Sequence, residues 1–125
     1  MDTLEVGKRL VSLCREGKNL EAVDELYADD VVSVEVMGTP EMPAKMKGKE
    51  AIRGKNQWWI DNHEVHSADA KGPFPHGERF AVLFDYDVTP TSGPMAGKRM
   101  DLEEVALYTV DDGKIVHEEF FYDMG

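Results

Sequence analysis

Apolar residues recur at helical spacing through the first half of the chain and alternate with polar ones through most of the second half. Val6, Leu10, Leu13 and Cys14 define one helical face, and Asp2 with Glu5 three residues on has the form of a capping box. Gly17-Lys18-Asn19 interrupts that helix, and Asn19 is placed to cap a second one carrying Ala22, Val23, Leu26 and Tyr27. Asp29-Asp30 ends it. The β-branched run 31–37 then reads as strand, and 38–47, with two prolines and two methionines, as a loop or irregular edge. A third helix is expected over 49–62. Strands follow at 66–70 and 78–89, with two more in 100–123, and the turn-rich stretch 89–97 precedes the last pair.

That last pair places carboxylates among apolar residues. Glu103 and Glu104 sit inside Leu102-Glu-Glu-Val-Ala-Leu-Tyr, and Glu118 and Glu119 inside Ile115-Val-His-Glu-Glu-Phe-Phe-Tyr. An acidic side chain on a core-directed strand face needs a reason, because burying it unpaired is costly. Asp-Asp-Gly-Lys suits a three-residue connection that pairs Val110 with Lys114, Tyr108 with Val116, Ala106 with Glu118 and Glu104 with Phe120. One face then holds Leu102, Glu104, Ala106, Tyr108, Val116, Glu118, Phe120 and Tyr122; Glu103, Glu119 and Ile115 lie on the other. A two-residue Asp112-Gly113 turn would shift the register by one and exchange the partners of the second strand.

Composition narrows the picture. The 125 residues suit a single domain, 1–125, with one hydrophobic core. A net charge of −11 argues against nucleic acid or an anionic membrane as partner. The lone Cys14 excludes an internal disulfide and reads as a buried, inert thiol. Met-Asp-Thr-Leu-Glu lacks the basic and apolar regions of a signal peptide, and no run reaches transmembrane length, so a cytoplasmic location is expected.

Helices followed by a run of antiparallel strands imply an α+β architecture, a curved sheet with helices on its inner side. Three stretches add a resemblance that covers essentially the whole chain: Asn19-Leu-Glu-Ala-Val-Asp-Glu-Leu-Tyr-Ala-Asp-Asp, Gly48-Lys-Glu-Ala-Ile-Arg, and Leu107-Tyr-Thr-Val-Asp-Asp-Gly-Lys-Ile-Val-His-Glu-Glu-Phe-Phe-Tyr. With them the chain resembles the SnoaL-like branch of the nuclear-transport-factor-2-like superfamily. The resemblance implies a cone-shaped, cystatin-like fold, with three helices from the N-terminal half packed on a curved, mostly antiparallel sheet. It also implies a pocket between helices and sheet, and a homodimer through the outer sheet face. It leaves the reaction open, since the fold hosts isomerases, cyclases, dehydratases, hydrolases and non-catalytic modules. Against ketosteroid isomerase, the offset of the catalytic aspartate after Tyr-Ala-Asp-Asp lands on Glu35. The oxyanion donors of that family would fall at Val11 and Ala106, so its hydrogen-bond pair is missing and steroid isomerisation is not expected.

The candidate catalytic residues are Glu104, Glu118, His63 and Glu35. Glu104 and Glu118 would be diagonal neighbours about 7–8 Å apart, close enough for one carboxyl to raise the pKa of the other. The plainer reading pairs each with Arg53, Arg79 or Arg99 as a structural ion pair. Glu35, inside Val-Glu-Val-Met, could equally face water. His63 shares a helical face with Ile52, Asn56, Trp59 and Ile60, at the pocket end, where it would shuttle protons; otherwise it bonds carbonyls at the helix end. Trp59, Asn56, Tyr27, Tyr108, Phe120 and Tyr122 are the candidate ligand-binding residues, although the tyrosines also suit a core. Trp58 and Trp59 cannot both face inward. His63-x-x-His66 and His76 make only a weak metal pattern, and Asp85 and Asp87 face solvent or a partner. No nucleophile elbow, phosphate loop or dinucleotide fingerprint occurs, so neither metal nor cofactor is expected.

Two functions follow. The first is a small-molecule isomerase, cyclase or dehydratase using acid–base carboxylates on an apolar or cyclic compound. The second is a non-catalytic ligand-binding or dimerisation module, in which arginines neutralise the glutamates and the cavity is small or filled.

Overall fold

The structure is a computed structural model that describes residues 1–123. Three helices, α1 (Thr3–Arg15), α2 (Asn19–Leu26) and α3 (Lys49–Asp61), pack on a six-stranded mixed sheet. The strands are β1 (Tyr27–Val34), β2 (Lys45–Lys47), β3 (His63–His76), β4 (Arg79–Pro90), β5 (Met100–Asp111) and β6 (Lys114–Phe121). They lie in the order β2-β1-β6-β5-β4-β3, with every neighbouring pair antiparallel except β1 and β6.

The α1 helix starts on the expected capping box: Asp2 accepts from the Glu5 N–H at 2.8 Å while Glu5 Oε1 accepts from the Asp2 N–H at 3.2 Å. Its inner face, including Val6, Leu10, Leu13 and Cys14, joins Ala22, Val23 and Leu26 of α2 over the inward residues of the sheet. Along β4 these inward residues are Phe80, Val82, Phe84 and Val88, alternating as a half-buried strand must. Where α1 crosses β3 there is no room for a side chain. A Cβ on Gly7 would stand 2.7 Å from Pro73 Cβ, so glycine is what lets the helix approach this closely.

Several boundaries differ from the sequence expectation. Asn19 is the first residue of α2 rather than its cap; the cap position is Lys18, whose side chain makes no capping bond. Tyr27 has left α2 and opens β1, which ends at Val34 rather than 37, because its ring is needed in the core beneath the sheet. β3 begins at His63 and is far longer than 66–70. The edge segment contains the short strand β2, paired with β1.

The hairpin register is also corrected. Asp112 (φ 50°) and Gly113 (φ 75°) both adopt left-handed backbone, the signature of a two-residue turn, which pairs Asp111 with Lys114 and Val110 with Ile115. A bulge then leaves Val116 unpaired, and Thr109 faces His117. The extra residue restores the parity that the shorter turn had changed. Glu118 therefore still shares a face with Tyr108, Ala106 and Phe120, but it pairs with Tyr108 instead of Ala106, and Ala106 pairs with Phe120. Ile115 is buried in place of Val116, which is only half-buried.

Candidate functional site

Beyond the packed end of the sheet, the helices and the inward sheet face separate around a cavity of about 1110 Å³. α3 contributes Lys55, Asn56 and Trp59 to its wall, β4 contributes Phe84 and Tyr86, and Tyr27 enters from β1. Glu104 and Tyr108 come from β5, Glu118 and Phe120 from β6. Glu35 and Tyr122 lie just beyond the ends of β1 and β6, and His63 stands at the start of β3.

The polar groups form an ordered chain. Tyr27 donates its hydroxyl to Glu118 Oε2 at 3.0 Å. Lys55 Nζ donates to Ser33 Oγ at 2.6 Å and to Glu35 Oε1 at 3.0 Å, and Tyr122 donates to Glu35 Oε2 at 3.0 Å. Ser33 pairs with Glu118 across the parallel strands, so the lysine end and the tyrosine end meet there. Glu118 Oε1 is buried with no hydrogen-bond partner among the described residues, although the Ser33 hydroxyl beside the carboxyl helps to lower its pKa. Lys55 Nζ also lies 5.2 Å from the Phe120 ring centroid, a cation–π distance.

This surrounding raises both cavity glutamates to a pKa of about 7. For Glu104 the main cause is burial, reinforced by repulsion from Glu35 and Glu118 and opposed by Lys55. For Glu118 burial again leads, opposed by the Lys55 charge and the Tyr27 hydroxyl. Burial also pushes the Cys14 thiol, which borders the cavity, up to about 12, so it stays protonated and inert. Tyr27 and Tyr108 are raised well above the usual tyrosine value by burial and by Glu118.

All ten residues singled out from the sequence border this one cavity: Glu35, His63, Glu104 and Glu118 with Tyr27, Asn56, Trp59, Tyr108, Phe120 and Tyr122. Their relations differ from expectation. Glu104 and Glu118 are not diagonal neighbours. Glu118 pairs with Tyr108, four residues from Glu104, or about 14 Å along the strand. Glu35 raises the pKa of both, and Glu118 adds directly to the rise at Glu104. Among the described residues no arginine forms an ion pair with either; Arg53 pairs with Asp24 and Arg99 with Asp87. His63 belongs to β3, not to α3. Its Nδ1 lies 2.8 Å from the Trp59 carbonyl, and a carbonyl can only accept, so Nδ1 carries the proton. Its ring stacks on Trp59 at 4.4 Å. Asn56 donates to the Ile52 carbonyl at 2.9 Å. Neither tryptophan fills the core: Trp59 contacts Tyr86 at 5.2 Å, and Trp58 is 46% exposed at the rim.

Lys55 and Ser33 were missed. The signal for Lys55 was present, since it lies three residues after Ile52 and four before Trp59, on the apolar side of α3. Among the described residues, no group of three or more His, Cys, Asp or Glu side chains is arranged to hold a metal ion. No helix among them is long and apolar enough to cross a membrane.

With the geometry in hand, known proteins supply the context. No curated protein sequence matches the chain. A Mesorhizobium loti structure, named as a proposed SnoaL-like polyketide cyclase with carbohydrate phosphatase given beside it, is 43% identical. The match has a TM-score of 0.89 and covers 98% of this chain and 100% of that one. A Burkholderia pseudomallei NTF2-like protein of unknown function is 17% identical, with a TM-score of 0.78 over 98% of this chain and 92% of its own. A Catenulispora acidiphila protein with a ketosteroid isomerase-like fold, solved with trimethylamine, is 20% identical, with a TM-score of 0.73 over 98% and 88%. At such identities the last two speak for the fold alone. The model of the SnoaL-like domain matches residues 1–122, and this chain belongs to that family.

Proposed function

We propose that this chain binds a small apolar or cyclic molecule in the cavity and moves a proton on it, as an isomerase, cyclase or dehydratase does. Glu104 carries the reading. Its carboxyl borders the cavity with no hydrogen-bond or ion-pair partner among the described residues, and burial keeps its pKa at about 7. Such a group is populated in both protonation states near neutral pH, so it can take a proton and return it. Glu118 is the second carboxyl, steadied by Tyr27. Glu35 is committed to Lys55 and Tyr122, and in this reading it positions rather than transfers. His63, with its Nδ1 proton on Trp59, keeps Nε2 available as a shuttle. Trp59, Tyr86 and Phe120 offer the apolar surface that a cyclic compound needs. The Mesorhizobium loti relative, named as a proposed polyketide cyclase, supports a cyclic substrate. A large cavity, and Arg53 and Arg99 engaged with Asp24 and Asp87, count against the non-catalytic module.

The experiment uses 5-nitrobenzisoxazole, a flat compound opened by one deprotonation. The base removes the ring C–H proton, that electron pair completes a nitrile, and the N–O bond breaks to release a phenolate. The wild-type rate should rise with pH through a midpoint of about 7. Glu104→Gln should lower it by about 100-fold or more. Equal rates in the two proteins would sink the proposal.

The reading includes a homodimer through the outer sheet face. Val105 and Phe121, paired across β5 and β6 and alternating with Glu104 and Phe120, are 40% and 47% exposed and also reach the cavity's edge. Light scattering should return twice the 14.1 kDa chain mass, and a monomer would refute this part alone.

A further inference from the structure

Taking a proton from carbon leaves an electron pair on the substrate, and that charge needs a receiver. The cavity wall offers little to receive it. Lys55 is the only lysine or arginine among the described residues that border it, alongside the carboxyls of Glu35, Glu104 and Glu118. Two hydroxyl donors are already spent, Tyr27 on Glu118 and Tyr122 on Glu35. An ammonium group has three donors. On Lys55 two of them go to Ser33 Oγ at 2.6 Å and Glu35 Oε1 at 3.0 Å, and nothing among the described residues accepts from the third. The side chain keeps 14% of its surface accessible and borders the cavity beside Phe120, whose ring centroid lies 5.2 Å from Nζ. Its charge is felt at both cavity carboxyls, where it opposes the rise in pKa. Base and cation therefore face one space.

We propose that Lys55 is a catalytic residue, whose third N–H binds a substrate oxygen next to the C–H bond that Glu104 breaks. This rests on the proton-transfer reading and adds the group that takes up the charge. Glu104 removes the proton from the carbon beside a carbonyl. The C–H electron pair forms a carbon–carbon double bond, and the carbonyl π pair moves onto the oxygen, which accepts from Lys55. Return of the proton from Glu104 to carbon reverses these shifts and restores the carboxylate. Ser33 and Glu35 hold the ammonium in place beforehand, so little reorganisation is needed as charge develops. A hydrogen bond from a charged donor to an oxyanion is also stronger than one to a neutral carbonyl, which favours the charged state over the bound ketone.

The test follows exchange of the α-protons of 2-tetralone, a cyclic ketone, for deuterium by NMR, with the full chain and after subtraction of the protein-free rate. The wild-type rate should rise with pH through about 7 to a plateau. Lys55→Met should lower that plateau by about 100-fold. A lysine acting only through its charge on Glu104 would move the midpoint upward and leave the plateau, so an unchanged plateau overturns the proposal. Should Lys55→Met fail to fold because Glu35 loses its partner, Lys55→Met combined with Glu35→Gln removes both charges and should show the same loss. Binding of 4-nitrophenol, whose anion is yellow, tests the contact without turnover. At pH 6, where Glu104 and Glu118 hold most of their protons, the wild type should convert more of it to phenolate than buffer alone. Lys55→Met should abolish that colour. A bound phenol that stays colourless overturns the assignment, and so does the absence of binding. Benzisoxazole opening that depends on Glu104, with tetralone exchange indifferent to Lys55→Met, keeps the proton-transfer reading and sinks the role of Lys55. Phenolate binding that depends on Lys55, without opening or exchange, keeps Lys55 as the oxygen-binding group and sinks Glu104 as the base.

Discussion

The helices α1 and α3 are both thirteen residues long, yet α1 buries six of them and α3 only Ile52. The α1 helix lies on β3 closely enough to require glycine at position 7, and Leu10 and Leu13 are fully enclosed. The inner side of α3 carries Lys55, Asn56 and Trp59 and borders open space. One helix is held by packing, the other spans a gap that packing never fills. The difference teaches where a fold of this size can place a site: in the region whose apolar side chains are not needed to close the core.

The largest test of that contrast is Leu10→Ala, which should cost about 2–5 kcal/mol in denaturant unfolding, because neighbours across α2 and the sheet cannot collapse into the space. A cost below about 1 kcal/mol would mean that α1 is packed no better than α3.

Next in size is the pH dependence that the cavity imposes. Glu118 has a folded pKa of about 7, above the ordinary carboxyl value of 4.5, with burial the main cause. Between those values the folded chain holds a proton that the unfolded chain has released, so stability is full below the lower value and falls as pH rises through the higher one. The loss from Glu118 is on the order of 3 kcal/mol between pH 4.5 and pH 8. Glu118→Gln should make the fall in melting temperature across that window shallower, with Glu104, raised to the same value, keeping its own share, and an equally steep fall in the variant would assign the effect to other groups.

The smallest effect is expected for Ile60→Ala. Ile60 lies on α3 and is 40% exposed, so truncation should change stability by no more than about 0.5 kcal/mol. A loss approaching that of Leu10→Ala would show that α3 is covered in solution, and the comparison would break.

How much could be read in advance follows the same division. The capping box, the α1 and α2 stripes and the strand alternation were readable, since each is a local pattern with a fixed period. The inward placement of Glu104 and Glu118 was readable as well, although through a register that proved wrong in detail. A two-residue turn and a bulge together preserved the parity that one three-residue turn would have produced. The expected diagonal placement of the two carboxylates was not there to be read. It depended on the register within the right face, and the turn and bulge together moved Glu118 from beside Ala106 to beside Tyr108. Lys55 was visible as a cation on an apolar stripe, but its partners Ser33 and Glu35 are 22 and 20 residues away in the chain.

By itself the sequence determined most of the elements, the inward face of each, and hence ten of the side chains that share one cavity. These depend on side-chain periodicity, which neighbouring residues decide. The tertiary structure alone decided which of those side chains touch. It set Lys55 on Glu35, placed Tyr27 under Glu118, and left Glu104 and Glu118 Oε1 unmatched. Contacts and desolvation are properties of segments brought together from distant parts of the chain, and a local pattern carries no measure of either.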